Sequence, residues 1–298
     1  MGPSLLRWIC CTGLLVTTHL VSASAFGRDV GDLFEDADDC GTSFVERLKS
    51  PFQPSEEDSL QTDRPGFTEA SSVVGRGRIL LEGGFTHVQD RDATTRATAY
   101  AFPQNLLRIG LSETVELRVV WDAGYLRTRE VDRVSGTVTR QAGSTDILLG
   151  TKMQFSEQQG WIPETAVIST LSIQSGSDEF RTSATEPRFN FLYGWDLNEK
   201  FNLAGSTGIG FLAEIGNKYT AAHQSIIFST TITEKLGIFQ EWFVLVFEGT
   251  EASFPEHYLD GGITYQLTPN TQIDWWIGWG LNDHADDLFT GTGYAFRW

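Results

Sequence analysis

The chain has 298 residues, with 40 % apolar, 20 % charged and 12 % aromatic side chains and a formal net charge of −17. That is too aromatic and too sparsely charged for a disordered chain. The acid excess offers no basic stripe to neutralise phosphates, which argues against a nucleic-acid partner. No apolar run of about 18 residues follows the N-terminus, which excludes a bundle of membrane helices.

The first 25 residues read as a secretory signal peptide. Arg7 gives a positive start, Trp8 to Val21 is mostly apolar, and Ala23-Ser24-Ala25 supplies the small residues for cleavage before Phe26. Cys10 and Cys11 leave with it, so Cys40 remains alone and no intrachain disulfide can form. Residues 26–75 set four basic against twelve acidic side chains, a net −8, broken by Pro51, Pro54 and Pro65. This predicts a short, mostly irregular N-terminal extension, with its acidic residues solvated rather than holding a metal.

From residue 76 to the end the pattern has period two. Val115, Leu117, Val119 and Trp121 alternate with Glu116, Arg118, Val120 and Asp122; Phe189, Phe191, Tyr193 and Trp195 alternate with Arg188, Asn190 and Gly194; Ile273, Trp275, Ile277 and Trp279 alternate with Asp274, Trp276 and Gly278. Successive side chains of a strand point to opposite faces, so each segment has an apolar face and a polar or glycine face. About twelve such segments can be counted, at 77–88, 96–110, 114–126, 143–155, 163–174, 186–195, 201–212, 220–232, 236–247, 257–267, 271–281 and 288–298. Their length is that of strands crossing a bilayer at a tilt, about 9–11 residues, rather than the 5–6 or so of soluble proteins. Five short turns alternate with mostly longer connections, of which 127–142 is the longest and richest in arginine. An even strand count with short turns on one rim predicts a closed, antiparallel, up-and-down transmembrane β-barrel over 76–298.

Two features orient the faces. Aromatic residues recur near strand ends: Phe155, Trp195, Phe201, Phe296 and Trp298 toward the short-turn rim, and Tyr125, Phe211, Trp279 and Phe289 toward the other. Girdles of this kind sit at the headgroups, so Trp121, Phe191, Tyr193, Trp195, Trp275 and Trp279 are expected to face lipid. The opposite face carries Glu82, Arg108, Glu116, Arg118, Asp122, Asp146, Lys152, Glu164, Arg188, Asp260 and Asp274. Packing so many ions into a dry core is costly, which predicts a wet lumen. Arg108 and Arg118 against Glu82, Glu116 and Asp122 are the expected constriction, with inner-wall structural ion pairs as the competing reading. Tyr294, Phe296 and Trp298 share one face of the last strand and resemble the C-terminal signal read by the outer-membrane assembly machinery.

The stretch Thr62-Asp63-Arg64-Pro65-Gly66-Phe67-Thr68-Glu69 precedes the first strand. Together with Leu107–Leu111, Val115–Arg118, Tyr193–Leu197, Glu241–Phe243 and Asp260–Tyr265, it resembles the outer-membrane transporters of the phenol-degradation MetA-pathway family over roughly 62–298. The resemblance implies an outer-membrane barrel and, by association, uptake of aromatic or other small organic molecules. It brings no functional residues with it.

The leading expectation is therefore a narrow passive channel for small solutes in the bacterial outer membrane, with membrane lipids as partners and no cofactor or metal. A net charge of −10 over 76–298, from 17 basic and 27 acidic residues, predicts weak cation preference. Two alternatives stand beside it. One is a non-conducting structural or adhesion barrel. The other is a lipase-like enzyme using His223 and Ser225, which share a strand face but sit about 6–7 Å apart with no evident third group.

Overall fold

A computed structural model describes residues 60–214, 217–249 and 254–298. The expected leader and the acidic stretch through residue 59 lie outside the described residues. Fourteen strand segments follow in order: β1 (Ile79–Arg91), β2 (Thr95–Gly110), β3 (Val115–Trp121), β4 (Tyr125–Asp132), β5 (Val138–Gly143), β6 (Ile147–Ser156), β7 (Glu164–Ile173), β8 (Pro187–Asp196), β9 (Phe201–Glu214), β10 (Asn217–Thr231), β11 (Leu236–Glu248), β12 (Glu256–Thr268), β13 (Thr271–Gly280) and β14 (Leu288–Arg297). All pairings are antiparallel. The sheet closes where β14 returns to β1, with Leu80 opposite Arg297 and Gln89 opposite Leu288.

The fourteen segments make a wall of twelve crossings. β3 pairs with the lower half of β2, Arg108 opposite Arg118, and β4 pairs with its upper half, Ala99 opposite Thr128. β6 and β5 continue the same split on the next strand. The cause lies at Pro103, which has no N–H for the ladder. The partner strand skips it through Asp122–Gly124, and the Gly124 N–H donates to the Pro103 carbonyl at 2.9 Å.

Short turns hold one rim. The Asn198 carboxamide oxygen accepts the Lys200 and Phe201 N–H groups at 2.9 and 3.2 Å, and the Thr233 hydroxyl accepts those of Lys235 and Leu236 at 3.2 and 3.0 Å. Side chains that bond their own backbone in this way end a strand and start the next within four residues.

On the other rim the expected boundaries need revision. The stretch 127–142, expected as the longest loop, is mostly sheet: β4 and β5 pair out to Val131 opposite Val138, leaving 133–137 as the turn. Its alternating Arg, Thr and Val side chains suit a strand whose outer face is wet. β9 and β10 likewise pair out to Glu214 opposite Asn217. The long described connection on this rim is 174–186.

The two faces are sorted as a lipid-immersed barrel requires. Phe191, Trp275 and Trp279 point outward, 44–46 % exposed, among Leu149, Ile173, Ile209, Ile226, Leu259 and Ile263. Trp121, Tyr193 and Trp195 share that outer face and are half-buried, as are Tyr294, Phe296 and Trp298. Phe289 is a correction: it points inward and is 1 % exposed, not part of a girdle. The last residue takes part in closure, since the Trp298 N–H donates to the Ile79 carbonyl at 2.8 Å.

An arginine on the outer face at mid-strand must shed its hydration in hydrocarbon. Trp275→Arg is expected to lower the stability of the barrel refolded in liposomes by about 2–4 kcal/mol, read as a leftward shift of its urea unfolding midpoint.

Candidate functional site

The interior of the barrel has two layers, and a chain segment crosses between them. Toward the short-turn rim the inward side chains are mostly ionic; toward the long-loop rim an apolar cluster fills much of the interior, beside buried ions such as Arg188, Glu186 and Asp286. Residues 60–74, ahead of β1, run inside the wall, bonded to its inner side chains from Gln61 to Val74.

The motif 62–69 engages the wall nearly residue by residue. The Asp63 carboxylate meets Arg118 Nη1 at 2.5 Å, Lys152 Nζ at 2.8 Å and Arg108 Nη1 at 3.3 Å. The Asp63 and Arg64 N–H groups donate to the Glu82 carboxylate at 2.9–3.1 Å. Arg64 pairs with Asp274 at 3.3 Å. Its guanidinium lies against Gly84 and Gly293, where any Cβ would collide with it. A Cβ on Gly66 would stand 2.8 Å from Glu241 Oε2, which would have to shift to admit it. The Phe67 and Thr68 N–H groups donate to Glu241 at 2.6 and 2.7 Å, and the Thr68 hydroxyl donates to the same carboxylate. Phe67 stacks on Phe243 with ring centroids 4.4 Å apart. Glu69 pairs with Arg118 and accepts from the Asn190 amide at 3.2 Å.

Wall residues complete the network. Glu116 binds Arg108 at 2.8 Å and Arg118 at 2.9 Å, and Glu82 binds Arg108 at 3.2 Å. Burial alone would raise the Asp63 carboxyl, but Arg108, Lys152 and Arg118 outweigh it and hold it well below the ordinary carboxylate range. Of the five expected constriction residues, Glu82, Arg108, Glu116 and Arg118 therefore meet in one cluster with Lys152. Asp122 lines the cavity beyond it.

The other expected interior residues are dispersed. Asp274 holds Arg64, and Asp260 lines the same cavity as Asp122, opposite Glu241 in the ladder. Arg188 pairs with Glu186 at 2.7 Å near the long-loop rim. Asp146 organises the 174–186 connection, accepting the N–H groups of Ser175, Gly176 and Thr182 at 2.7–3.0 Å. Glu164 accepts the Ser71 hydroxyl at 2.6 Å. The expectation of wet inner charges is corrected here: Glu82, Arg108, Glu116 and Lys152 are fully buried, and each binds a partner of opposite charge.

Beyond the loop lies an apolar cluster. Phe243, Phe247, Tyr258, Trp276 and Phe289 pack with Leu126, Leu245 and Val88 against the small residues Ala97, Ala99 and Ala101. Two cavities flank the loop. One, of about 660 Å³, opens between the loop and the short-turn rim. The other, of about 120 Å³, lies between the loop and the aromatic layer, walled by Phe243, Trp276 and Asp260. Asp63, Arg64, Pro65, Gly66 and Glu69 line both, so the loop is the partition.

His223 and Ser225 sit beside this loop. Ser206, on the neighbouring β9, lies 2.7 Å from Ser225 Oγ and 3.3 Å from His223 Nε2, and Asn190 Oδ1 lies 3.1 Å from that same nitrogen. A nucleophile relay needs the two ring nitrogens to serve opposite partners; here both contacts fall on one. The Thr68 and Ser225 hydroxyls, 2.6 Å apart, tie this chain of polar groups to the loop.

Comparison with known proteins agrees with the fold. The family model described as "Putative MetA-pathway of phenol degradation" matches residues 62–298. The chain belongs to this family. No curated protein matches it. Among solved structures, an outer membrane channel from Pseudomonas putida F1 aligns with a TM-score of 0.61 at 10 % identity, covering 79 % of this chain and 99 % of that one. The transport unit of the autotransporter AIDA-I from Escherichia coli aligns with a TM-score of 0.50 at 8 % identity, covering 86 % and 96 %. At such identities the likeness speaks to the barrel alone.

In this MetA-pathway family member the matched region begins at Thr62 and so takes in the 62–69 motif as well as the wall. Removing one partner from a buried ion cluster strands the others. Arg108→Ala is expected to cost about 3–5 kcal/mol of stability, measured by urea unfolding in detergent. The double variant R108M/E116M should recover part of that loss.

Proposed function

We propose that this barrel is an outer-membrane channel for passive uptake of small organic solutes, aromatic ones among them, and that the 62–69 loop shuts it in the conformation described. The observation that carries this reading is the loop's position as the partition between two interior cavities. A solute crossing the barrel must displace it.

Three further features support the reading. The layer of Phe243, Phe247, Tyr258, Trp276 and Phe289 offers flat, apolar faces of the kind that small-molecule sites use. The likeness to an outer membrane channel is consistent with such a role. The family's description names phenol degradation, which fits an aromatic cargo. The excess of acidic residues in the barrel favours cations over anions once the path is open. On this reading Tyr294, Phe296 and Trp298 serve the assembly machinery, and the leader directs export.

One observation favours the competing, non-conducting reading: Phe243, Phe247 and Tyr258 are fully buried, so the apolar layer is dense. Planar-bilayer recording separates the two. The full-length barrel is expected to show small, intermittent conductance, and deletion of residues 62–69 or Glu241→Ala is expected to raise it several-fold, with cation preference. Deletion variants that refold yet stay electrically silent would sink the channel reading.

A further inference from the structure

The hairpins β1–β2 and β4–β5 stand above the barrel wall on the long-loop rim, and their charges are sorted by face. Arg91, Arg96, Arg127, Arg129 and Arg140 point outward. Alternation places Arg127 and Arg129 on the face opposite the buried Leu126 and Thr128, and the ladder sets Arg129 opposite Arg140 and Arg91 opposite Arg96. Val131 joins the two groups, opposite Arg96 on one side and Val138 on the other.

Carboxylates of the same hairpins are elsewhere. Glu130 follows Thr128 onto the inner face. Asp92 accepts the Thr94 and Thr95 N–H groups at 2.6 and 2.7 Å, and Asp132 accepts those of Val134 and Ser135 at 2.8 and 2.9 Å, so both are engaged in turns. Among the described residues no ion pair joins any of the five arginines to a carboxylate. Like charges directly opposite in a ladder repel, and here two such pairs lie side by side.

The patch starts at the aromatic belt and rises above it. Tyr100, Phe102 and Tyr125 are 44 %, 55 % and 51 % exposed on the same outer face, with Tyr100 opposite Arg127 and Phe102 opposite Tyr125. At a strand rise of about 3.3 Å per residue, Arg127 and Arg129 lie about 7 and 13 Å beyond Tyr125 along the strand. Aromatic belts mark the headgroup level, so the arginines stand where the polar heads of the outer leaflet begin. Guanidinium groups bind phosphate oxygens in bidentate fashion and resist deprotonation.

We infer that this outward face docks the phosphate groups of a phosphorylated glycolipid in the outer leaflet. The charge complementarity selects an anionic head, and the belt beneath selects a lipid over a soluble anion, because only a lipid places acyl chains against Tyr100, Phe102 and Tyr125. The inference rests on the outer-membrane reading given above, but not on whether the barrel conducts.

The full chain, purified and placed in nanodiscs free of glycolipid, would be titrated with bisphosphorylated lipid A and with its dephosphorylated form. Wild-type protein is expected to bind the phosphorylated lipid at least tenfold more tightly, with excess inorganic phosphate competing poorly. R127Q/R129Q/R140Q is expected to lose at least tenfold, the corresponding triple lysine variant to lose less, and single-channel behaviour to stay unchanged in both. Equal binding of the two lipids by wild-type protein, full competition by inorganic phosphate, or undiminished binding by the glutamine variant would overturn the assignment. The lipid comparison uses wild-type protein, so it holds even if a variant fails to refold. A channel that conducts normally without binding lipid A would discard this inference alone.

Discussion

Inside the barrel wall three cations, Arg108, Arg118 and Lys152, face two carboxylates, Glu82 and Glu116. That imbalance is the constraint on which the interior depends. A buried charge without a counter-charge costs several kcal/mol even after relaxation. Asp63 supplies the counter-charge, meeting all three cations at 2.5–3.3 Å. A residue outside the sheet therefore completes the electrostatics of the sheet, which fixes the N-terminal segment across the barrel. It also explains why inner-wall ion pairs and a blocked interior occur together: the ions are buried because the segment covers them, and the segment stays because the ions hold it.

The same segment separates two media. Below it, polar and ionic residues such as Gln158, Glu234, Lys235 and Gln272 surround the larger cavity. Above it, aromatic rings and alanines form a buried apolar cluster. The motif matches this divide. Its charged members, Asp63, Arg64 and Glu69, bind wall ions, and its one aromatic member, Phe67, stacks on Phe243 in the apolar layer. Glycine at 66 lets the backbone approach Glu241 closely enough for two N–H groups to share one carboxylate.

Much of the wall was legible in the sequence, and the reason is geometric. In a closed two-faced sheet every strand must keep its phase, so Ile273-Asp274-Trp275-Trp276-Ile277 announces both its strand and its orientation. Where both faces are apolar that signal fails. On β11 the inward Phe239, Phe243, Leu245 and Phe247 alternate with outward Trp242, Val244 and Val246, so the aromatic layer left no contrast to read. Phe289, an aromatic near a strand end that faces inward, is illegible for the same reason. The β4–β5 hairpin has the composition of a loop, with four arginines among its polar residues, although a strand above the membrane needs no apolar face. The cluster itself was half visible. The wall ions stood out by alternation, but Asp63 lay in a stretch whose composition matched an acidic tail, and nothing local joins residue 63 to residue 152.

The hydrogen bonds also indicate how the loop would yield, on the proposed channel reading. Asp63 Oδ1 accepts the Ala70 N–H at 3.1 Å, so residues 63–70 form a loop closed at its own base. That base is bound to three cations, and the chain beyond it is fixed again where the Val74 N–H donates to Glu116 at 2.9 Å. The tip depends on less: Glu241, the Phe67 stack and the neutral hydroxyl of Ser225. Lifting the tip parts three donors from the one carboxylate of Glu241, whereas lifting the base would part Asp63 from three cations at once. The low-cost motion is thus a swing of the Gly66–Thr68 tip about a fixed Asp63. Such a swing joins the two cavities beside Phe243 without dismantling the ion cluster, so the element that stabilises the barrel and the element that obstructs it can be neighbouring residues of one eight-residue motif.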